Sequence, residues 1–151
     1  MSAVLNRNIC FIGGGNMAQA LIGGLISRGL PSTRITVSDP VEQVRHLLAE
    51  KDLVVTENNA SAIREADVVV LAVKPQVLAD VLKPLNGLFD GKLIISIVAG
   101  AEIATIAALA GSNRIVRVMP NTPALVQTGA HGLYATETVD KEDRDLASQV
   151  L

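Results

Sequence analysis

Short, wholly apolar runs alternate along this chain with longer stretches in which apolar residues recur every three or four positions. Ile9–Ile12 is the first run, and it stops at Gly13, Gly14 and Gly15. A helical pattern starts at once, with Met17, Ala18, Ala20, Leu21 and Leu25 on its apolar side. Further strands are predicted at 34–38, 53–56, 67–73, 92–98, 115–119 and 130–135. Between them, helices are predicted at 41–51, 102–110 and 140–151, with a brief helical turn at 61–65. Another helix should open at Pro75 and carry Val77, Leu78, Val81 and Leu82. The runs at 67–73 and 92–98 are apolar on both faces, as strands buried between two helical layers must be. The alternation predicts an α/β fold: a doubly wound, Rossmann-type, mostly parallel sheet with helices on both faces.

Composition supports that architecture. Hydrophobic residues make up 49% of the 151 positions and aromatic ones only 2%, so Val, Ile, Leu and Ala must fill the core. One domain, 1–151, accounts for the length. The final helical pattern runs to Leu151 without a glycine, proline or polar tail, so the chain is expected to be the front part of a longer protein. The net charge of −2, without a basic cluster, argues against a nucleic-acid partner. No apolar run reaches membrane-spanning length and no signal-like segment opens the chain, which predicts a cytoplasmic protein with no membrane partner. Cys10, the single cysteine, falls in the first strand and reads as a small buried hydrophobe. His46 and His131 have no partner group at catalytic spacing, and no cluster has metal-ligand spacing.

Candidate chemistry concentrates where the first strand meets the first helix. Gly13-x-Gly15-x-x-Ala18 has the spacing of the dinucleotide-binding turn. Gly13 permits a tight turn, Gly15 admits a pyrophosphate close to the backbone, and Ala18 lets the helix lie against the strand. The helix N-terminus then presents free N–H groups and a partial positive charge. Ligands of an open parallel sheet sit beyond the carboxyl ends of its strands. The unusual loops of this chain gather at those ends: Ser38-Asp39-Pro40, Glu57-Asn58-Asn59, Ala72-Val73-Lys74-Pro75, Val98-Ala99-Gly100, and the segment 119–124, MPNTPA.

Asp39 lies about 20 residues past the glycines, where an acid accepts from a ribose 2′-hydroxyl. It is equally suited to capping the helix that follows Pro40. Ser38 offers a hydroxyl to a 2′-phosphate, and Arg45, one turn into the next helix, is placed to reach back. The choice between NADPH and NADH therefore stays open. Lys74 precedes a proline at a helix start, a position the helix dipole disfavours for a cation, which points to a role lining the cofactor channel. Asn121 and Thr122 sit between two prolines, and such a stiff loop fixes polar groups as substrate orientation requires.

The stretches FIGGGNMAQALIGGL (11–25), ADVVVLAVKPQ (66–76), IISIVAG (94–100) and RVMPNTPALV (117–126) resemble the N-terminal domain of Δ1-pyrroline-5-carboxylate reductases. MPNTPA is the most specific, because related dehydrogenases share the glycine turn but not this loop. The resemblance implies reduction of the C=N bond of a cyclic imine, giving L-proline, with hydride from NADPH or NADH. It also implies cofactor contacts at Ile12, Gly13, Gly14, Gly15, Asn16, Met17, Ser38 or Asp39, Asn59, Ala72, Val73, Lys74, Pro75, Val98 and Ala99. The substrate side falls to Asn121 and Thr122, and no catalytic acid is assigned. Members of the family continue into an all-helical domain that forms the dimer and much of the imine pocket. The resemblance stops short of that domain, so this chain is expected to supply the cofactor-binding half and to be inactive alone. Two competing expectations share the fold: the cofactor domain of a 3-hydroxyacid-type dehydrogenase, and an NAD(P)-binding module without turnover.

Overall fold

A computed structural model describes residues 6–119, 132–135 and 139–150. Its elements are β1 (Ile9–Ile12), α1 (Asn16–Ser27), β2 (Ile35–Ser38), α2 (Glu42–Ala49), β3 (Val54–Thr56), α3 (Asn59–Arg64), β4 (Val68–Leu71), α4 (Leu78–Leu82), β5 (Leu93–Ser96), α5 (Ile103–Ala110), β6 (Ile115–Met119), β7 (Gly132–Ala135) and α6 (Lys141–Val150). The strands form one sheet in the order β3-β2-β1-β4-β5-β6-β7. The first six run parallel, and β7 pairs antiparallel to β6. The doubly wound, mostly parallel sheet expected from the alternation is the fold the chain adopts. Winding reverses between β1 and β4, so the loops leaving these neighbours diverge to opposite faces.

Strand periodicity of two sorts the core into two layers. Ile9, Phe11, Val68, Val70 and Ile95 face one way and pack under α1, α2 and α6. Cys10, Ile12, Val69, Leu71 and Ile94 face the other way, under α3, α4 and α5. In α1 the buried positions are Ala18, Leu21, Ile22 and Leu25, a stripe at helical spacing. Cys10 is fully buried, and burial pushes its thiol up to about 12, with the charge of Lys92 pulling the other way. It stays protonated at neutral pH and serves as packing. The last helix, α6, is pinned to the sheet by a forked ion pair. Arg114 donates from Nε and Nη2 to the buried Asp143 carboxylate at 2.7 and 2.5 Å.

Three elements differ from expectation. The helix expected from Pro75 onward is a broken one. Pro75–Val77 is a 3₁₀ turn, α4 has only five residues, and Lys83–Leu85 is again 3₁₀. Pro84 has no N–H to continue an α-helical ladder. The turn expected at 61–65 begins earlier as α3, because the Asn58 side chain accepts from Ser61 N at 3.0 Å and so caps it. The two central strands are shorter than expected: only Val68–Leu71 of 67–73 and Leu93–Ser96 of 92–98 are strand, all of them buried. No helix among the described residues is long and apolar enough to cross a membrane.

Candidate functional site

The carboxyl edge of the sheet is gathered by hydrogen bonds that continue past the strand ends. Gly13 N donates to Ser38 O (2.8 Å), Asp39 N to Thr56 O (3.0 Å) and Ala72 N to Ile12 O (2.9 Å). The loops after β1, β2, β3 and β4 are thereby drawn around one cavity of about 460 Å³. Its wall contains Ile12, Gly13, Gly14, Gly15, Ser38, Asp39, Asn59, Ala72, Val73 and Lys74, all expected at the site from sequence.

Each glycine of the turn answers to a different constraint. Gly13 has φ +104°, and a Cβ there would stand 2.6 Å from Ala72 O. Both the backbone angle and the approach of the β4 loop require glycine. A Cβ on Gly14 would meet Leu48 Cδ1 at 2.9 Å and Val37 and Val44 Cγ1 at 3.1 Å. Gly15 has nothing within 4 Å, so its missing side chain leaves open space at the mouth of α1. Helix α1 begins there with no side-chain cap and no acidic residue in its first turn. The amides of Asn16, Met17 and Ala18 have no intrahelical acceptor by geometry, and the dipole adds positive potential. An anion fits this opening and a cation does not.

The acid after β2 does two jobs that sequence reasoning did not foresee together. Asp39 Oδ2 accepts from Gly14 N at 2.9 Å, and Oδ1 accepts from Val41 N at 2.8 Å. The first bond ties the glycine turn to β2. The second closes a turn ahead of α2, whose N-cap is Val41 without a side-chain cap, so Asp39 is not the cap itself. Arg45 does reach back: its Nη1 donates to Asp39 O at 2.8 Å and lies 3.6 Å from Glu57 Oε2. The buried Ser38 hydroxyl donates to Asn59 Oδ1 at 2.5 Å, which leaves the Asn59 amide hydrogens for other partners. Lys74 is exposed on the cavity wall and makes no ion pair among the described residues.

The remaining expected residues are not part of that wall. Asn16 is exposed and Met17 half-buried in the first turn of α1. Pro75 lines a neighbouring depression with Gly100 and Glu102. Val98 is buried in the core under α5, with Ala99 exposed after it. Asn121, Thr122 and His131 lie outside the described residues. His46 is exposed on α2, 3.4 Å from Glu50. No group of three or more His, Cys, Asp or Glu among the described residues is arranged to hold a metal.

Sequence reasoning missed several contributors. Gln19 Nε2 donates to Gly14 O at 2.9 Å and braces the turn from inside α1. Val41 and Val77, both unusually exposed for valine at 49% and 43%, line the cavity from two loops. Val77 reads from sequence as part of a core-facing helix stripe. In the structure Leu78 and Leu82 take the buried side, while Val77 and Val81 face the cavity.

Comparison with known proteins agrees with this geometry. The family described as "NADP oxidoreductase coenzyme F420-dependent" matches residues 8–100. A pyrroline-5-carboxylate reductase of Haemophilus influenzae is 48% identical over 97% of this chain and 55% of its own length. Among solved structures, a pyrroline-5-carboxylate reductase from Coxiella burnetii superposes with a TM-score of 0.89 at 40% identity, covering 95% of this chain and 55% of that one. A Plasmodium falciparum pyrroline carboxylate reductase with NADP bound superposes with a TM-score of 0.81 at 28% identity, over 96% of this chain and 55% of that one. The chain thus spans about half the length of the relatives it matches. It belongs to the family described as "NADP oxidoreductase coenzyme F420-dependent", and over nearly its whole length it is similar to the amino-terminal half of pyrroline-5-carboxylate reductases.

Proposed function

We propose that this chain is the dinucleotide-binding half of a reductase that converts 1-pyrroline-5-carboxylate to L-proline at the expense of NADPH or NADH. One observation carries the reading: the uncapped, acid-free N-terminus of α1 opens at Gly15 onto a cavity at the point where the sheet reverses its winding.

Each wall of the cavity has a role in this reading. The first-turn amides of α1 and the open space at Gly15 receive the pyrophosphate. Val41 and Val77 offer apolar surface to the flat base of the adenosine end. Ser38 and Asn59 hold the ribose beside β2 and β3, over the turn that Asp39 anchors. The backbone of Ala72 and Val73 borders the path toward the nicotinamide, with Lys74 adding positive charge near the phosphates. When bound, the dihydronicotinamide would supply the hydride for the imine carbon, the imine nitrogen taking its proton from solvent. Asn16, Met17, Pro75, Val98 and Ala99 extend the same edge, and Asn121 and Thr122 are assigned to the imine side. The further length of the relatives is proposed to complete the imine pocket and to form the homo-oligomer.

The test follows NADPH absorbance while 1-pyrroline-5-carboxylate is added. The chain alone should show negligible turnover. Supplied with the carboxyl-terminal half of a relative, it should consume NADPH in an imine-dependent way. Consumption that is the same with and without imine overturns the reaction assigned here.

A further inference from the structure

Two carboxylates and one guanidinium meet where the adenosine ribose would sit. Asp39 is already engaged, since its two oxygens accept from the Gly14 and Val41 amides. Glu57 is not held in that way. It lines the cavity from the loop after β3, its side chain is 73% exposed, and its one ion pair among the described residues is with Arg45, at 3.6 Å. Arg45 is not part of the cavity wall but touches two residues that are. Its side chain is only 20% exposed and is steadied by the bond from Nη1 to Asp39 O. The guanidinium is thus fixed at the ribose end, with the solvent-facing Glu57 carboxylate 3.6 Å from its Nη1.

We propose that Glu57 sets the coenzyme preference of this site by occupying the Arg45 guanidinium that the 2′-phosphate of NADPH would otherwise take. The inference rests on the cavity being a dinucleotide site. A 2′-phosphate carries up to two negative charges, and a planar guanidinium binds it through two parallel N–H bonds. For NADPH to gain that contact, Glu57 must first give it up, and its own charge then stands close to the phosphate. NADH, with a bare 2′-hydroxyl, pays neither cost. Glu57 therefore weakens NADPH selectively.

The experiment measures the dissociation constants of NADPH and NADH by titration for the unaltered chain, for Glu57→Gln, and for Glu57→Gln combined with Arg45→Gln. In low salt, Glu57→Gln should shift the NADPH-to-NADH affinity ratio toward NADPH by about 3–10-fold, the size expected of one removed like charge at this exposure. NADH affinity should hardly move. The shift should shrink as salt is raised, and it should be clearly smaller in the double variant, where only the direct repulsion by Glu57 is relieved and no guanidinium is left to release. Because the ratio is taken within each variant, a modest change in stability cancels. If both coenzymes bind and the Glu57→Gln ratio equals the parent's, or if the shift is undiminished by the loss of Arg45, the proposal is overturned. If neither coenzyme binds the unaltered chain, the dinucleotide reading itself fails and takes the proposal with it.

Discussion

Gly13→Ala should destabilise the protein by about 4 kcal/mol, a large part of the stability of an ordinary domain. Two costs add. A residue with a Cβ is strained at φ +104°, typically by about 1–3 kcal/mol. The added methyl also lands 2.6 Å from Ala72 O, a backbone atom that cannot rotate away. Overpacking of this kind costs about 1–3 kcal/mol more. The β4 loop is held in place by the Ala72 N bond to Ile12 O, so relief requires β1 and β4 to part at their ends. The loss appears as a fall in melting temperature of about 10 °C for a chain of this size. Thermal unfolding of the variant checks it. A melting temperature within a degree or two of the parent would show that the turn is not locked as described.

Asp39→Ala should cost both stability and coenzyme affinity, and the second loss should be shared by NADPH and NADH. The carboxylate accepts from two backbone amides, and hydrogen bonds to a charged group contribute about 1.5–3 kcal/mol each when protected from water. The Val41 bond is exposed and counts for less, so a total of about 2–3 kcal/mol is expected. With Gly14 released, the turn loses the tie that fixes its amides, and affinity for both coenzymes should fall about tenfold, as a loss near 1.4 kcal/mol in binding implies. Parallel titrations of the two coenzymes decide between roles. A loss confined to NADH would make Asp39 a direct ribose ligand and contradict its role as anchor of the turn.

Most of the fold was legible because its signals are local. Runs such as 67–73 and 92–98 can only be buried strands, and Gly13, Gly15 and Ala18 mark the turn by spacing alone. The errors came from contacts between distant parts of the chain. Gly14 occupies a free position in the motif, yet Leu48, Val37 and Val44 close over it from β2 and α2. Asp39 looked like a ribose acceptor or a helix cap, and only the folded turn shows one oxygen serving Gly14 across 25 positions. Val77 followed a helical stripe until Pro75 and Pro84 cut the helix short on both sides. Gln19 and Glu57 carry no local signature, since their importance arises from what the fold sets beside them.

In the function proposed above, the open mouth of α1 holds the pyrophosphate of a dinucleotide. Gly15→Val tests it most directly, because Gly15 has a negative φ and no neighbour within 4 Å of a Cβ. The folded protein should tolerate the substitution, while the isopropyl group fills the space a phosphate needs. Calorimetric titration of NADPH into the unaltered chain should show saturable binding at one site. In Gly15→Val, with its melting temperature close to the parent's, affinity should fall at least about 30-fold, the equivalent of about 2 kcal/mol. Equal NADPH affinity in the two proteins would place the dinucleotide elsewhere and contradict the account.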